Sequence, residues 1–397
     1  MCYGNATPEA TTQPSGLPSY EHPMWKRAAF YGLLVLLLLA TAEAGSFALA
    51  RMRPDLFDHR QEVFRKHRPE DFQRYRSEVA SKVLGWDNPV GAERRANCLG
   101  EQITYSHDAS RLRRHGQRAP EDAVVLVAGD SYTKGSDVAD EDTYPAALEH
   151  MLGVGVANLG VGGYGPDQAL LKLESLIDRF PHARVAVLTI LTDDTSRMLN
   201  SFRPVLYRET GSLYGFKPYM RDGVLQPLIG DDPMRDFDAM QAAAEIAFDT
   251  DFWRRPRARF PYVLSVAQLF FLPSFQVALR AQLQHRTPYE IVHRLEPARD
   301  NLRALFERFA AFTKSRGLAG VVAFIPPDET DQATGAIATS AASPAQRQAL
   351  AFVTVTMKSE YYPRPNCHPS ARGYAAIATD VAGVVRPLLS RAGLQRR

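Results

Sequence analysis

The sequence has little charge of one sign, few cysteines and no metal-ligand spacing. Lys and Arg number 47 and Asp and Glu 44, a formal net charge of +3. So small an excess excludes nucleic acid as an expected partner. The basic residues are dispersed except for a cluster over 51–76 that is interleaved with acids. This cluster reads as a solvated helical neck, with lipid headgroups as the alternative contact. The 10 histidines show no ligand spacing, there is no Walker loop, and the glycines at 160–165 are not followed by the remaining dinucleotide signals. Neither a metal nor a cofactor is therefore expected. No internal repeat or long low-complexity tract is present.

Long apolar runs are also missing, with one exception. Residues 28–50, AAFYGLLVLLLLATAEAGSFALA, carry a single charge, Glu43, and a bilayer-spanning helix needs about 20 such residues. The segment reads as an uncleaved signal anchor. A cleaved signal peptide is the alternative, with Lys26 and Arg27 before the apolar run and Ala40-Thr41-Ala42 as a small-x-small site. Residues 1–27 are polar, rich in Pro, Thr and Ser, and read as a disordered cytoplasmic leader. The expectation is a single-pass membrane protein contacting the bilayer through 28–50, with its large domain extracytoplasmic, that is, periplasmic. Of three cysteines, Cys98 and Cys367 follow the apolar segment. They can pair in an oxidising compartment if the fold brings them within reach.

After an entry segment at 51–120, alternation sets in. Apolar runs at 124–128, 154–158, 184–191, 321–325 and 352–357 read as strands, the continuous ones as buried parallel strands. Between them lie amphipathic stretches: one opened by Thr143 and Pro145, one by Gly165 and Pro166, one over 294–316 that stops at Gly317, and a last one over 371–389. This predicts an α/β fold over 121–397, a three-layer α/β/α sandwich around a mostly parallel sheet, preceded by one transmembrane helix. An aromatic- and proline-rich insertion at 197–293 interrupts the alternation. Ligands of such folds sit at the carboxyl ends of the strands, and Ser131, Gly163, Asp193 and Pro327 all follow strands.

Three blocks carry the chemistry. Gly129-Asp130-Ser131 stands between a strand and a helix, where a serine is exposed beside backbone N–H groups. NLGVGGYGPDQ at 158–168 follows the second strand, and HPSARGY at 368–374 opens the last helix. In order and spacing these blocks resemble the SGNH, or GDSL, superfamily of hydrolases and acyltransferases, over about 121–390. The resemblance implies that Ser131 is the nucleophile, that its own N–H and that of Gly163 are oxyanion donors, and that His368 is the base. These roles agree with what acyl transfer through a serine requires.

The sequence departs from the family at two places. Asp193 stands where the family carries the asparagine that donates to the oxyanion, and a carboxylate has no proton to give. Pro365 and Asn366 stand where an aspartate orients the histidine. Three readings follow. Asp193 could support His368 while Asn366 donates to the oxyanion; a Ser131–His368 dyad could work alone; or catalysis could be weak or lost, leaving a protein that binds glycan or a membrane biosynthetic partner. Arg197, Arg203, Tyr164, Tyr214, Phe216 and Tyr219 are secondary candidates for sugar or anion contact, and Asp328 and Asp331 for orienting His368; packing or solvation is the default for each. The expected activity is serine-dependent ester hydrolysis or acyl, above all acetyl, transfer through an acyl-serine. The resemblance and the topology point to a cell-surface or exported polysaccharide, or another O-acylated compound, as substrate.

Overall fold

The computed structural model describes residues 23–391 except 117, 209–214 and 366. It opens with a helix α1, Met24–Met52, long and apolar enough to cross a membrane; a signal sequence passes the same test. A two-stranded antiparallel hairpin follows, β1 (Gly91–Ala96) and β2 (Gln102–His107). Then come the strands of the central sheet: β3 (Val125–Ala128), β4 (Val156–Asn158), β5 (Val185–Leu191), β6 (Ala319–Ile325) and β7 (Leu350–Thr354). Their spatial order is β7-β6-β5-β3-β4, and every pairing among them is parallel. The last strand begins and ends earlier than the apolar run at 352–357 suggests, because its pairing with β6 starts at Leu350 opposite Gly320.

Alternation of side chains decides what each face of the sheet meets. Val125, Val127, Val187, Val321 and Ala323 pack with Tyr144, Leu148, Tyr374, Ile377 and Val381 on one face. Leu126, Ala186, Leu188, Val322 and Phe324 pack with Leu170, Leu173, Leu302, Phe306 and Phe309 on the other. Strands buried on both faces read as unbroken apolar runs for this reason. The covering helices are α3 (Tyr144–Leu152) and α9 (Ala371–Arg391) on the first face, and α4 (Pro166–Leu176) and α8 (Glu296–Ser315) on the second; α3 is capped by Thr143, whose Oγ1 accepts from the Ala146 N–H.

The interval between β5 and α8 builds a third core. Phe202, Val205, Phe216, Met240, Phe248, Trp253, Val277 and Ile291 are buried together, and Val63 and Phe72 from the entry segment join them. Residues 51–76 thus differ from the solvated neck expected of them. Their charged faces conceal a few large apolar side chains, and the insertion provides the surface that buries them. Arg60 is drawn in as well and bridges Asp58, Glu245 and Asp249.

The chain leaves β3 for the edge strand β4 and then returns to the other side of β3 at β5. The strand order reverses there, the position at which ligands of open α/β sheets sit. Ser131 stands directly after β3 at this point.

Candidate active site

Asp130 caps the one-turn helix α2, Ser131–Lys134, by accepting from the Tyr132 N–H at 2.9 Å. The cap turns Ser131 out of the strand end and leaves its side chain partly exposed. Ser131 Oγ lies 2.9 Å from His368 Nε2 and 3.2 Å from Asp130 Oδ2. His368 stands just before α9, with the Tyr132 ring packed edge-on against its imidazole, centroids 5.6 Å apart.

His368 Nδ1 lies 3.0 Å from Asp137 Oδ2. The carboxylate that meets Nδ1 is therefore that of Asp137, and Asp193 does not bond to His368. Asp137 lies in the turn after α2 with φ of 70°, a left-handed conformation that aspartate tolerates better than most residues. The structure holds it from several sides. Its N–H donates to Tyr105 Oη at 2.8 Å, and its carboxylate also accepts from the backbone N–H of His368 at 3.3 Å. The hydrogen bond from His368 pulls the Asp137 carboxyl below its ordinary range, outweighing the opposing effect of burial.

The predicted oxyanion loop is tightly placed. A Cβ on Gly160 would lie 2.1 Å from the Lys134 backbone nitrogen, so this loop lies directly against α2. Gly163 has φ of +79°, and a Cβ there would lie 2.9 Å from Arg203 Nη1. Trp86 Nε1 donates to the Gly162 carbonyl at 3.0 Å, and Arg203 Nη1 donates to the Gly163 carbonyl. With both carbonyls held from behind, the backbone N–H groups of Ser131 and Gly163 have no acceptor among the described residues.

Asp193 is occupied elsewhere. Its Oδ2 accepts from Tyr207 Oη at 2.6 Å and from Arg197 Nη2 at 3.4 Å. Arg197 also pairs with Asp194 at 2.5 Å and with Asp130 at 3.2 Å, and donates to the Tyr164 carbonyl. This guanidinium sits among three carboxylates, and their negative charge holds it protonated against the cost of burial. Asp193 thus shares a single positive charge with Asp194 and with Asp130 beside the serine.

Among the other candidates, Tyr164 is fully buried and donates to the Trp86 carbonyl at 2.5 Å. Phe216 stacks on Phe202 in the insertion core. Tyr219 lies on a short hairpin, with the Arg221 guanidinium over its ring. Asp331 accepts from Thr192, Thr287 and Thr334, and Asp328 caps a turn at Thr330; neither bonds to His368. Tyr214 and Asn366 lie outside the described residues. No group of histidine, cysteine and acidic residues among the described residues has the geometry of a metal site.

Cys98 and Cys367 form a disulfide with Cα atoms 5.7 Å apart. One end is the turn of the β1–β2 hairpin and the other is the residue before His368. The bridge thus ties the histidine loop to the hairpin whose Tyr105 hydroxyl holds Asp137.

No family model matches the sequence, and no curated protein does. Among solved structures, a lipolytic protein of the G-D-S-L family from Desulfitobacterium hafniense DCB-2 is similar with a TM-score of 0.31 and 13% identity, covering 66% of this chain and 98% of that one. An acetyl xylan esterase from the rumen bacterium Butyrivibrio proteoclasticus is similar with a TM-score of 0.30 and 9% identity, covering 73% of this chain and 67% of that one.

Proposed function

We propose that the protein is a serine esterase or O-acyltransferase of the SGNH kind, working through an acyl-serine. The observation that carries this reading is the continuous relay from Ser131 Oγ to His368 Nε2 and from His368 Nδ1 to Asp137, at 2.9 and 3.0 Å. His368 takes the Ser131 proton as Oγ attacks the ester carbonyl carbon, and Asp137 stabilises the imidazolium that results. The N–H groups of Ser131 and Gly163 receive the tetrahedral oxyanion. His368 then protonates the departing alcohol and leaves the acyl group on Ser131. Water, or a hydroxyl of an acceptor, gives its proton to His368 and attacks the acyl-serine, which restores the free serine.

The substrate we infer is an O-acyl, foremost O-acetyl, group on a cell-surface or exported polysaccharide. Ser131 and His368 are both partly exposed, so an ester on a large molecule can reach them. Anchoring through α1 would hold the site close to the surface where such polymers emerge. The Cys98–Cys367 bridge supports an oxidising compartment for this domain, as bridges of this kind are rare in the cytosol.

Labelling by a serine-directed fluorophosphonate tests the chemistry. The folded full-length chain is expected to take up one probe, mapped by peptide mass spectrometry to Ser131, and to lose labelling on denaturation. Absence of label from Ser131 in folded protein would leave the relay without a reactive nucleophile and overturn the reading.

The disulfide position yields a second expectation. Its ends are 269 residues apart, so chain entropy alone makes it worth on the order of 5 kcal/mol. Its larger effect is on placement, since a shift of about 1 Å in a catalytic group costs on the order of 10²-fold in rate. Reduction, or the pair Cys98→Ser and Cys367→Ser, is expected to lower kcat for p-nitrophenyl acetate by about that factor at temperatures where circular dichroism still reports a folded domain. Unchanged kcat in the folded, reduced protein would show that the bridge does not position His368.

A further inference from the structure

Beyond the site at Ser131, a second feature lies where the domain meets α1. Residues 24–42 of α1 are exposed throughout, and they make roughly 28 Å of helix at about 1.5 Å per residue, close to the ~30 Å of a bilayer core. From Glu43 onward α1 is held by the domain. Both Glu43 carboxylate oxygens accept backbone N–H groups at the start of a helix α6, Tyr262–Leu269, from Tyr262 at 2.7 Å and Val263 at 3.0 Å. The Phe47 and Tyr262 rings pack edge to face at 5.1 Å. The only charge of the apolar segment thus caps a domain helix and fixes α6 at the level where α1 would leave the hydrocarbon.

A helix α7, Pro273–Gln284, follows at a bend of 59°. The turn and its approach expose large apolar side chains: Phe260 is 76% exposed and Phe271 81%. Beside them opens a cavity of about 790 Å³. Phe260, Leu264 and Phe271 form its apolar wall, and Arg254, Arg255 and Arg259 its basic one. Arg60 and Arg257, also on the rim, are bridged to Asp58, Glu245 and Asp249. Arg254, Arg255 and Arg259 have no carboxylate partner within salt-bridge distance among the described residues.

We infer that this cavity is a binding site for an anionic phospholipid of the leaflet on the domain side of the membrane, with the headgroup phosphate on Arg254, Arg255 and Arg259 and the acyl chains against Phe260, Leu264 and Phe271. The inference rests on α1 being retained as a membrane span. An apolar wall paired with guanidinium groups that lack a salt bridge, Arg254 and Arg255 donating only to the Asp251 and Val205 carbonyls, matches an amphiphile of negative charge, and a zwitterionic lipid would leave the arginines without a net counter-charge. Seating such a lipid would fix the orientation of the domain on the bilayer and so the direction in which Ser131 faces.

Photo-crosslinking tests this. The full chain is reconstituted in nanodiscs containing diazirine-acyl phosphatidylglycerol or diazirine-acyl phosphatidylcholine at equal mole fraction, and crosslinked peptides are identified by mass spectrometry. Peptides of 24–42 are expected to label with both lipids. Peptides of 260–271 are expected to label at least about 5-fold more with phosphatidylglycerol, the preference that one basic residue near a membrane surface provides. Arg254→Gln with Arg259→Gln is expected to abolish that preference, while millimolar inorganic phosphate leaves it intact. Labelling of 24–42 with 260–271 unlabelled, or labelled equally by the two lipids, would overturn the lipid site while leaving α1 as a span. Loss of the preference to free phosphate would assign the arginines to a soluble anion and likewise overturn it. Absence of label from 24–42 as well would remove the span and the inference together. The lipid comparison needs only the wild-type chain, so it stands whether or not the variant folds.

Discussion

Ser131→Ala is expected to lower kcat for p-nitrophenyl acetate by on the order of 10⁵–10⁶-fold, the loss seen when a serine nucleophile is removed from an acyl-transfer relay. Among the described residues only Ser131 Oγ is placed to form the covalent intermediate, because it alone bonds to His368 Nε2, at 2.9 Å. The fold has little reason to respond. Ser131 is the first residue of α2, and the cap at this helix comes from Asp130, whose carboxylate keeps the Tyr132 N–H in the variant. A thermal melt close to that of the wild type should therefore accompany the lost turnover. What remains would be the slower hydrolysis that the N–H groups of Ser131 and Gly163 can support by polarising a bound ester. Steady-state turnover above about a hundredth of the wild-type rate would contradict an acyl-serine route, since the nucleophile accounts for far more than that.

Asp137→Asn is expected to lower kcat by on the order of 10⁴-fold while the backbone stays in place. Asparagine is the informative substitution because it also tolerates the left-handed φ of 70° found here. The amide removes the charge that stabilises imidazolium. Its NH₂ can also donate to Nδ1, which would leave the imidazole proton on Nε2, facing Ser131 rather than ready to accept from it. Asp193→Asn is the comparison. Asp193 bonds to Tyr207 and Arg197 and not to His368, so its loss is expected to be far smaller. A reversal of the two effects would move the orienting role to Asp193. The hydrogen bond from His368 depresses the Asp137 carboxyl, so the ionised form is favoured in the folded state. Its contribution to stability is fully present above the ordinary carboxylate range and is lost as pH falls through the lowered folded value.

The carboxylates around Arg197 show why a side chain in company need not have the effect that it would have alone. An isolated ionised Asp193 would repel an oxyanion. Within a web that also holds Asp130 and Asp194 on one guanidinium, with Arg203 close by, its charge is partly offset. Arg203 adds a second, half-buried cation behind Gly163, its pKa lowered by desolvation, and next by Arg197, to about 10.

Much of the sheet was legible in the sequence, because a strand buried on both faces must be apolar at every position and a covering helix must repeat at its own period. The runs at 124–128 and 184–191 and the helices opened by Thr143 and Pro166 follow from that local rule. Ser131 is marked by Gly-Asp-Ser between a strand and a helix, whereas Gly163 is singled out only by the resemblance of its block to the SGNH pattern. His368 was located through its motif. Asp137 leaves no such mark. It sits in an ordinary turn after α2, and its role arises only because the β1–β2 hairpin, the α2 turn and the loop before α9 converge on it. The same holds for Val63 and Phe72, whose burial needs the insertion to supply the opposite surface. By itself, then, the sequence determined the alternating architecture, the apolar N-terminal helix and the position of the serine, since each is encoded by neighbours a few residues apart. Only the tertiary structure decided which carboxylate meets the histidine, that Cys98 and Cys367 pair, and where α1 is capped, since each depends on a distance between segments far apart in the chain.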